Sequence, residues 1–210
     1  AVEQGRIGDP HFITVVSRDP EAPSLDYVKV SGGMLMDMTI HDFDMVRYLS
    51  GSEVTEVYAA GAALVNPRIQ ELGDSDSAQI TLRFENGAIG CISNSRRAAY
   101  GYDQRAEVFG SKGSAATQND TASTLILSDE QGIQSEKPLY FFLERYMQSF
   151  AEEIISFTRA IRENKPTAVG GVDGLIPVLM AKAAAKSMHE HRPVTMAEIK
   201  QEEGIEDVES

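Results

Sequence analysis

The sequence has one cysteine and no tryptophan, and its 210 residues carry only 19 Lys and Arg against 32 Asp and Glu. One cysteine excludes an internal disulfide and a thiolate metal cluster. Cys91 lies in the apolar run Gly90-Cys91-Ile92, where a small buried hydrophobe is the ordinary reading. A formal net charge of −13 repels phosphate backbones and anionic lipid headgroups, so neither nucleic acid nor a membrane surface is an expected partner. No apolar run approaches the roughly 18 residues that a spanning helix needs, and no signal-peptide pattern is present, so a cytoplasmic location is expected. The chain opens Ala1-Val2-Glu3-Gln4-Gly5 without Met, as if partway through a helix, the expectation for a piece of a longer polypeptide.

Hydrophobic residues at 42% and charged residues at 24% are enough for one compact core. His11 to Val16 has the β-branched pattern of a strand, and Pro20 and Pro23 break the segment that follows. Gly32-Gly33 leads into a helix expected from about Asp37 to Leu49, stopped at Gly51. Val54 to Leu64 is β-rich. Ala78 to Phe84 alternates apolar and polar residues, Glu85-Asn86-Gly87 supplies a hairpin turn, and Ala88 to Ser93 returns. Gln104 to Phe109 and Thr124 to Leu127 continue the pattern, and Val194-Thr195-Met196 adds a short edge strand. Two helices are expected over Tyr140 to Arg162 and Val172 to His189, the first with apolar residues at Phe142, Met147, Phe150, Ile154, Phe157 and Ile161. The order predicts an α+β domain: an open, largely antiparallel or mixed sheet of about six strands with helices on one face. The uncovered sheet face would be wet or buried in a homo-oligomer. Residues 1–201 read as one domain and 202–210 as an acidic, frayed tail.

The segment Gly32 to Leu49, GGMLMDMTIHDFDMVRYL, carries the chemistry. On one helix Asp37 and His41 lie about 40° apart around the axis, and Asp44 returns near the same line. Met38, Met45, Val46 and Leu49 would face the core. Oxidising a secondary alcohol removes a hydride from carbon and a proton from oxygen, and a neutral imidazole accepts such a proton near neutral pH. A carboxylate one turn away orients the ring and accepts a hydroxyl. Two plainer readings stand beside this one: Asp37 as a helix cap, and Asp37 with His41 as part of a metal site needing a third ligand.

The same segment resembles the signature of the Gfo/Idh/MocA oxidoreductase family, in which a glycine-rich approach leads into Asp-x-x-x-His. Asp37-Met38-Thr39-Ile40-His41-Asp42-Phe43-Asp44-Met45 looks especially like its inositol-oxidising members. Gly5-Arg6-Ile7-Gly8-Asp9-Pro10 resembles the family's join between two domains. Glu107-Val108-Phe109-Gly110-Ser111-Lys112-Gly113 resembles its central sheet, Tyr146 to Glu153 its penultimate helix, and Gly171-Val172-Asp173-Gly174 its last. The resemblance implies the C-terminal fold shared with dihydrodipicolinate reductase. It also implies oxidation of a secondary alcohol of a cyclic polyol, myo-inositol to 2-keto-inositol, with NAD as cofactor and a homotetrameric assembly. It makes His41 the general base, Asp37 its partner and a substrate ligand, and Asp44 a hydroxyl acceptor. Tyr100, Tyr102 and Tyr146 would line the polyol pocket. No metal is implied.

Two departures follow. Some inositol-oxidising members carry His-Arg-Asn-Pro after the first strand; Ser17-Arg18-Asp19-Pro20 stands here, with Asp19 still a hydroxyl acceptor and Ser17 shorter than His. The family's N-terminal Rossmann domain and its catalytic lysine are not in this sequence. The alternative to a dehydrogenase domain is a non-catalytic sugar-binding or oligomerisation module of the same fold, or a dehydrogenase for another sugar. Among the remaining motifs, Arg96-Arg97 reads as a solvated pair, His189-Glu190-His191 as a helix terminus, and Ser111-Lys112-Gly113-Ser114 as a hairpin turn.

Overall fold

A computed structural model describes residues 1–205. After turns over residues 2–7, the chain runs through β1 (Pro10–Arg18), α1 (Leu25–Val28), α2 (Met34–Asp37), α3 (Thr39–Ser50) and β2 (Val54–Ala62). It continues through α4 (Arg68–Glu71), β3 (Ser77–Phe84), β4 (Ile89–Ser95), β5 (Asp103–Gly110) and β6 (Gly113–Ala116). Next come β7 (Ile126–Asp129), β8 (Gly132–Ser135), α5 (Phe142–Arg145) and α6 (Met147–Glu163). The last elements are α7 (Gly171–Glu190), β9 (Val194–Thr195) and α8 (Met196–Glu202).

Seven strands form one mixed sheet in the order β6-β5-β1-β4-β3-β2-β9. Only the β1–β4 pair is parallel; the other five pairings are antiparallel. The β3–β4 hairpin forms as its turn chemistry dictates: Gly87 takes φ +87°, and Asn86 Oδ1 accepts the Ala88 N–H at 3.0 Å. Period-two alternation sends Ile13, Val15, Val57, Ile80, Leu82 and Ile92 to one face, all buried. On that face α3 contributes Phe43 and Val46, and α7 contributes Ile176, Leu179, Met180 and three fully buried alanines, Ala181, Ala183 and Ala184. Ser187 Oγ accepts the β2 N–H of Ala59 at 2.9 Å, tying α7 to the sheet.

Among the described residues, the helices that pack on the sheet (α3, α7 and α8) leave the opposite face open. There Phe12 stands beside both Phe109 and Ile89 in register, each 40% or more exposed. Cys91 also lies on this face, half-buried between Thr14 and Thr81, and not in the core as its apolar neighbours predict. Burial pushes its thiol up.

Several expectations are corrected. The sheet gains β6 beyond β5, while Thr124 to Leu127 falls at a separate two-stranded hairpin, β7–β8. The helix expected from Asp37 breaks at Met38 (φ −115°, ψ −60°), between α2 and α3, because Thr39 is pulled to the sheet by Asn94. Met45, expected in the core, is 43% exposed on α3, while Met38 is buried. The helix expected over Tyr140 to Arg162 breaks at Tyr146, and α6 buries no residue, so it does not cover the sheet. The tail does not fray at its start: Glu202 and Glu203 pair with Lys186 and Lys182 of α7. The remainder of the expected tail, 206–210, lies outside the described residues. Among the described residues no helix is long and apolar enough to cross a membrane.

Candidate active site

Because β1 and β4 run parallel, their carboxyl ends leave the sheet on the same edge, with Ser17 opposite Asn94 and Arg18 opposite Ser95. The first turn of α3 settles over this edge. Thr39 Oγ1 donates to Asn94 Oδ1 at 2.8 Å, and Asn94 Nδ2 donates to Asp42 Oδ2 at 2.6 Å. Ser17 Oγ lies 2.6 Å from Asp42 Oδ1 and 2.7 Å from Gln104 Oε1. A hydroxyl has one proton to give, so the chain of bonds is complete when Asp42 carries a proton, donates it to Ser17, and Ser17 donates to Gln104. Burial pushes Asp42 up to about 6, against the hydrogen bonds from Ser17 and Asn94, and the Asp19 charge pushes the same way.

Beside this network, Arg96 leaves the end of β4 buried, not solvated. Its NH1 donates to Asp19 Oδ2 at 3.1 Å and its NH2 to Asp37 Oδ2 at 2.5 Å. Arg97, the second half of the supposed solvated pair, is half-exposed and lies 3.8 Å from Glu21. Asp37 Oδ1 accepts the Tyr27 hydroxyl at 2.6 Å. Burial raises Asp19, Arg96 opposes that, and the nearby Asp37 charge adds to it.

Tyr102 and Tyr146 meet edge to face, ring centroids 6.1 Å apart, with the Arg145 guanidinium 5.8 Å from the Tyr146 ring. Burial raises both phenols; Tyr102 also feels Tyr146 and Asp19, and both feel Asp42. The break at Tyr146 that ends α5 turns that ring inward to Tyr102.

Asp19, Asp37, Tyr102 and Tyr146 are thus gathered with Asp42 at one sheet edge. His41 and Asp44 sit on the exposed side of α3, three residues apart, close enough for the imidazole charge to act on the Asp44 carboxyl. Asp44 lies 3.5 Å from Arg47 NH1. The polar line expected along one helix is therefore divided: Asp37 is on α2, and its carboxylate is taken by Tyr27 and Arg96, with no hydrogen bond to His41. Tyr100 lies apart. Its hydroxyl donates to Asp103 Oδ2 at 2.5 Å and accepts from Arg18 at 3.1 Å, and its ring lines a cleft of about 370 Å³ with Pro20, Arg97, Lys137 and Tyr140. Burial opposes the charge on Asp103, but bonds from Arg105, Tyr100 and Asn119 outweigh it and hold this carboxyl at about 2.

Sequence reasoning passed over Asp42, Asn94, Arg96 and Gln104. Asp42 lies in the signature segment but was hidden between two acids that spacing favours, and Arg96 looked like its exposed neighbour. For a dinucleotide, the chain's own glycine pairs do not fit. Gly33, at φ +85°, opens α2, but the next N–H, of Met34, donates to both Asp74 oxygens at 3.1 Å. Gly170, before α7, donates its N–H to Asp173 at 2.7 Å. Both helix starts are answered by acids of this chain, not left for phosphate. No group of three or more His, Cys, Asp or Glu arranged to hold a metal ion occurs among the described residues.

An open mixed sheet with helices on one face and acids gathered at the ends of its parallel pair is the fold shared with a family of oxidoreductases. The chain belongs to the GFO/IDH/MocA family: residues 1–116 match its C-terminal domain. It is 56% identical to the uncharacterized oxidoreductase YrbE of Bacillus subtilis, over 93% of this chain and 57% of that protein. It is 52% identical to a myo-inositol 2-dehydrogenase of Thermotoga maritima, over 95% of this chain and 60% of that protein. Among solved structures, scyllo-inositol dehydrogenase from Lactobacillus casei with bound NAD(H) and scyllo-inositol superposes with a TM-score of 0.84 at 29% identity, over 93% of this chain and 59% of that one. The chain thus spans less than two thirds of the length of these relatives.

Proposed function

We propose that this chain is the substrate domain of an NAD-dependent dehydrogenase that oxidises a secondary alcohol of an inositol, with hydride transfer completed on a companion dinucleotide-binding domain. The observation that carries the proposal is the gathering of Asp19, Asp37, Asp42, Tyr102 and Tyr146 around the start of α3, in a chain closely related to a myo-inositol 2-dehydrogenase. A polyol offers many hydroxyls and no charge, so carboxylates and phenols facing one another suit it. In this reading His41 takes the alcohol proton. Its exposed imidazole, on the turn of helix that follows Asp37, is free of competing hydrogen bonds among the described residues. Asp44 stabilises the charged ring, and Asp19 with the two tyrosines holds the remaining hydroxyls. NAD use is assigned to the whole polypeptide, since this chain's glycine pairs do not cradle its phosphates.

His41→Ala in the complete polypeptide is expected to lower turnover of myo-inositol about 10²- to 10⁴-fold, with dinucleotide binding unchanged. Steady-state NADH formation measures it, and wild-type turnover in the variant would remove His41 from the reaction. We further propose self-association through the open sheet face, where Phe12, Phe109 and Ile89 form an apolar row. Phe109→Glu should shift the assembly to smaller species in sedimentation velocity. An unchanged distribution would place the contact elsewhere.

A further inference from the structure

Arg96 touches both Asp19 and Asp37, yet the proton transfer outlined above makes no use of it. Its side chain is 8% exposed, and those of the two acids are 18% and 16% exposed. The three groups come from separate places: the end of β4, the residue after β1, and the last residue of α2. All three backbones are fixed. Arg96 N–H donates to Asp76 O at 2.7 Å, Asp19 N–H to Ser95 O at 3.0 Å, and Asp37 N–H to Gly33 O at 3.0 Å. Two carboxylates held side by side repel, and without a cation one of them would take up a proton and turn from acceptor to donor.

We propose that Arg96 is a positioning residue that sets polyol affinity: its guanidinium fork clamps Asp19 Oδ2 and Asp37 Oδ2 and keeps Asp19 in place and charged as a hydroxyl acceptor. The inference rests on the polyol reading above. Tyr27 occupies the other oxygen of Asp37, so Oδ1 of Asp19 is the acceptor presented to a substrate hydroxyl. A neutral Asn needs no cation, whereas an acid at this depth does, and Arg96 supplies it. Lysine is no substitute, because a single ammonium lacks the planar fork that reaches two carboxylates at once. Around the pair, Asp42 and Tyr102 feel the Asp19 charge, and Tyr27 faces Asp37. Arg97, half-exposed on the same loop, is the natural control.

The test uses the complete polypeptide with Arg96→Gln, Arg96→Lys, Arg97→Gln, Asp19→Asn and the Arg96→Gln/Asp19→Asn double variant. Loss of a hydrogen-bonded charge pair of this kind should raise the KM for myo-inositol about ten-fold or more in Arg96→Gln. Arg96→Lys should fall between it and wild type, and Arg97→Gln should match wild type. Removing the second carboxylate relieves the repulsion, so the double variant should recover part of the affinity that Arg96→Gln loses, which no purely structural role predicts. Independently of catalysis, carboxyl ¹³C NMR should show the Asp19 titration moving up in Arg96→Gln, because the guanidinium that favours its charged form is gone. If Arg96→Gln does not fold, Arg96→Lys carries both measurements. A protein that oxidises no polyol would sink the proposed function, and the NMR titration would still decide the role of Arg96. An unmoved Asp19 titration, or a double variant no better than Arg96→Gln, overturns the inference.

Discussion

The sheet and the helices that cover it hold most of the fully buried side chains, whereas none of the residues from 117 to 169 is more than partly buried. Both regions carry the same written signal. In α7, Leu175, Leu179 and Ala183 recur at helical spacing and pack into the core. In α6, Phe150, Ile154, Phe157 and Ile161 recur just as regularly and remain 43% to 64% exposed. Periodicity therefore reports that a helix forms, and says nothing of what closes over its apolar stripe. α6 holds itself together locally: Gln148 reaches Glu152 at 2.8 Å, Thr158 bonds back to Ile154 O at 2.8 Å, and Asn164 ends it in the left-handed region (φ +50°).

That contrast can be broken or sharpened by substitution. The largest effect is expected in the core: Phe43→Ala, at a site with no exposed surface, should cost about 3–5 kcal/mol in urea unfolding. A loss under about 1 kcal/mol would mean that α3 is no better packed than the arm. Next comes the buried acid. Asp42 is held at about 6 against an ordinary 3.8, so the folded state binds its proton more tightly than the unfolded chain does. Its contribution is therefore most favourable below about pH 4, declines as pH rises through about 6, and is constant above that. The total decline is about 3 kcal/mol. Asn at this position still accepts from Asn94 and donates to Ser17 but has no proton to lose. Asp42→Asn should thus flatten the fall in stability between pH 4 and 6 and leave the variant more stable than wild type at pH 8. Identical pH slopes for the two proteins would show that Asp42 is not buried as described. The smallest effect belongs to the arm: Phe157→Ala should change the stability of this chain by less than about 0.5 kcal/mol, in line with its 53% exposure.

Much of the frame was legible because local rules decide it. β1, the Asn86-Gly87 hairpin, α7 and the edge strand at Val194 follow from alternation, turn chemistry and helical spacing. What escaped was decided by partners distant in sequence. Arg96 and Arg97 are chemically identical neighbours; only the first is buried, because Asp19 and Asp37 lie 77 and 59 residues away. The helix break at Met38 depends on Asn94, 55 residues beyond Thr39. β6 is four residues of Gly, Ser and Ala, with no β-branched signal. Of the site's acids, Asp37 is expected on a helical line with His41 and Asp44, Asp19 in the loop after the first strand, and Asp42 is passed over. Their actual grouping comes from strand ends that only the sheet order brings together.

The parallel pairing of β1 with β4 also bears on when the site can exist. Ser17 and Asn94 are 77 residues apart, and every residue between them belongs to the excursion that carries the chain from one strand to the other. Closing so long a loop is entropically costly, and the β1–β4 ladder forms only once both strands are in place. The Asp42 network therefore exists only while β1 and β4 are paired, which makes it a gauge of whether the centre of the sheet is intact.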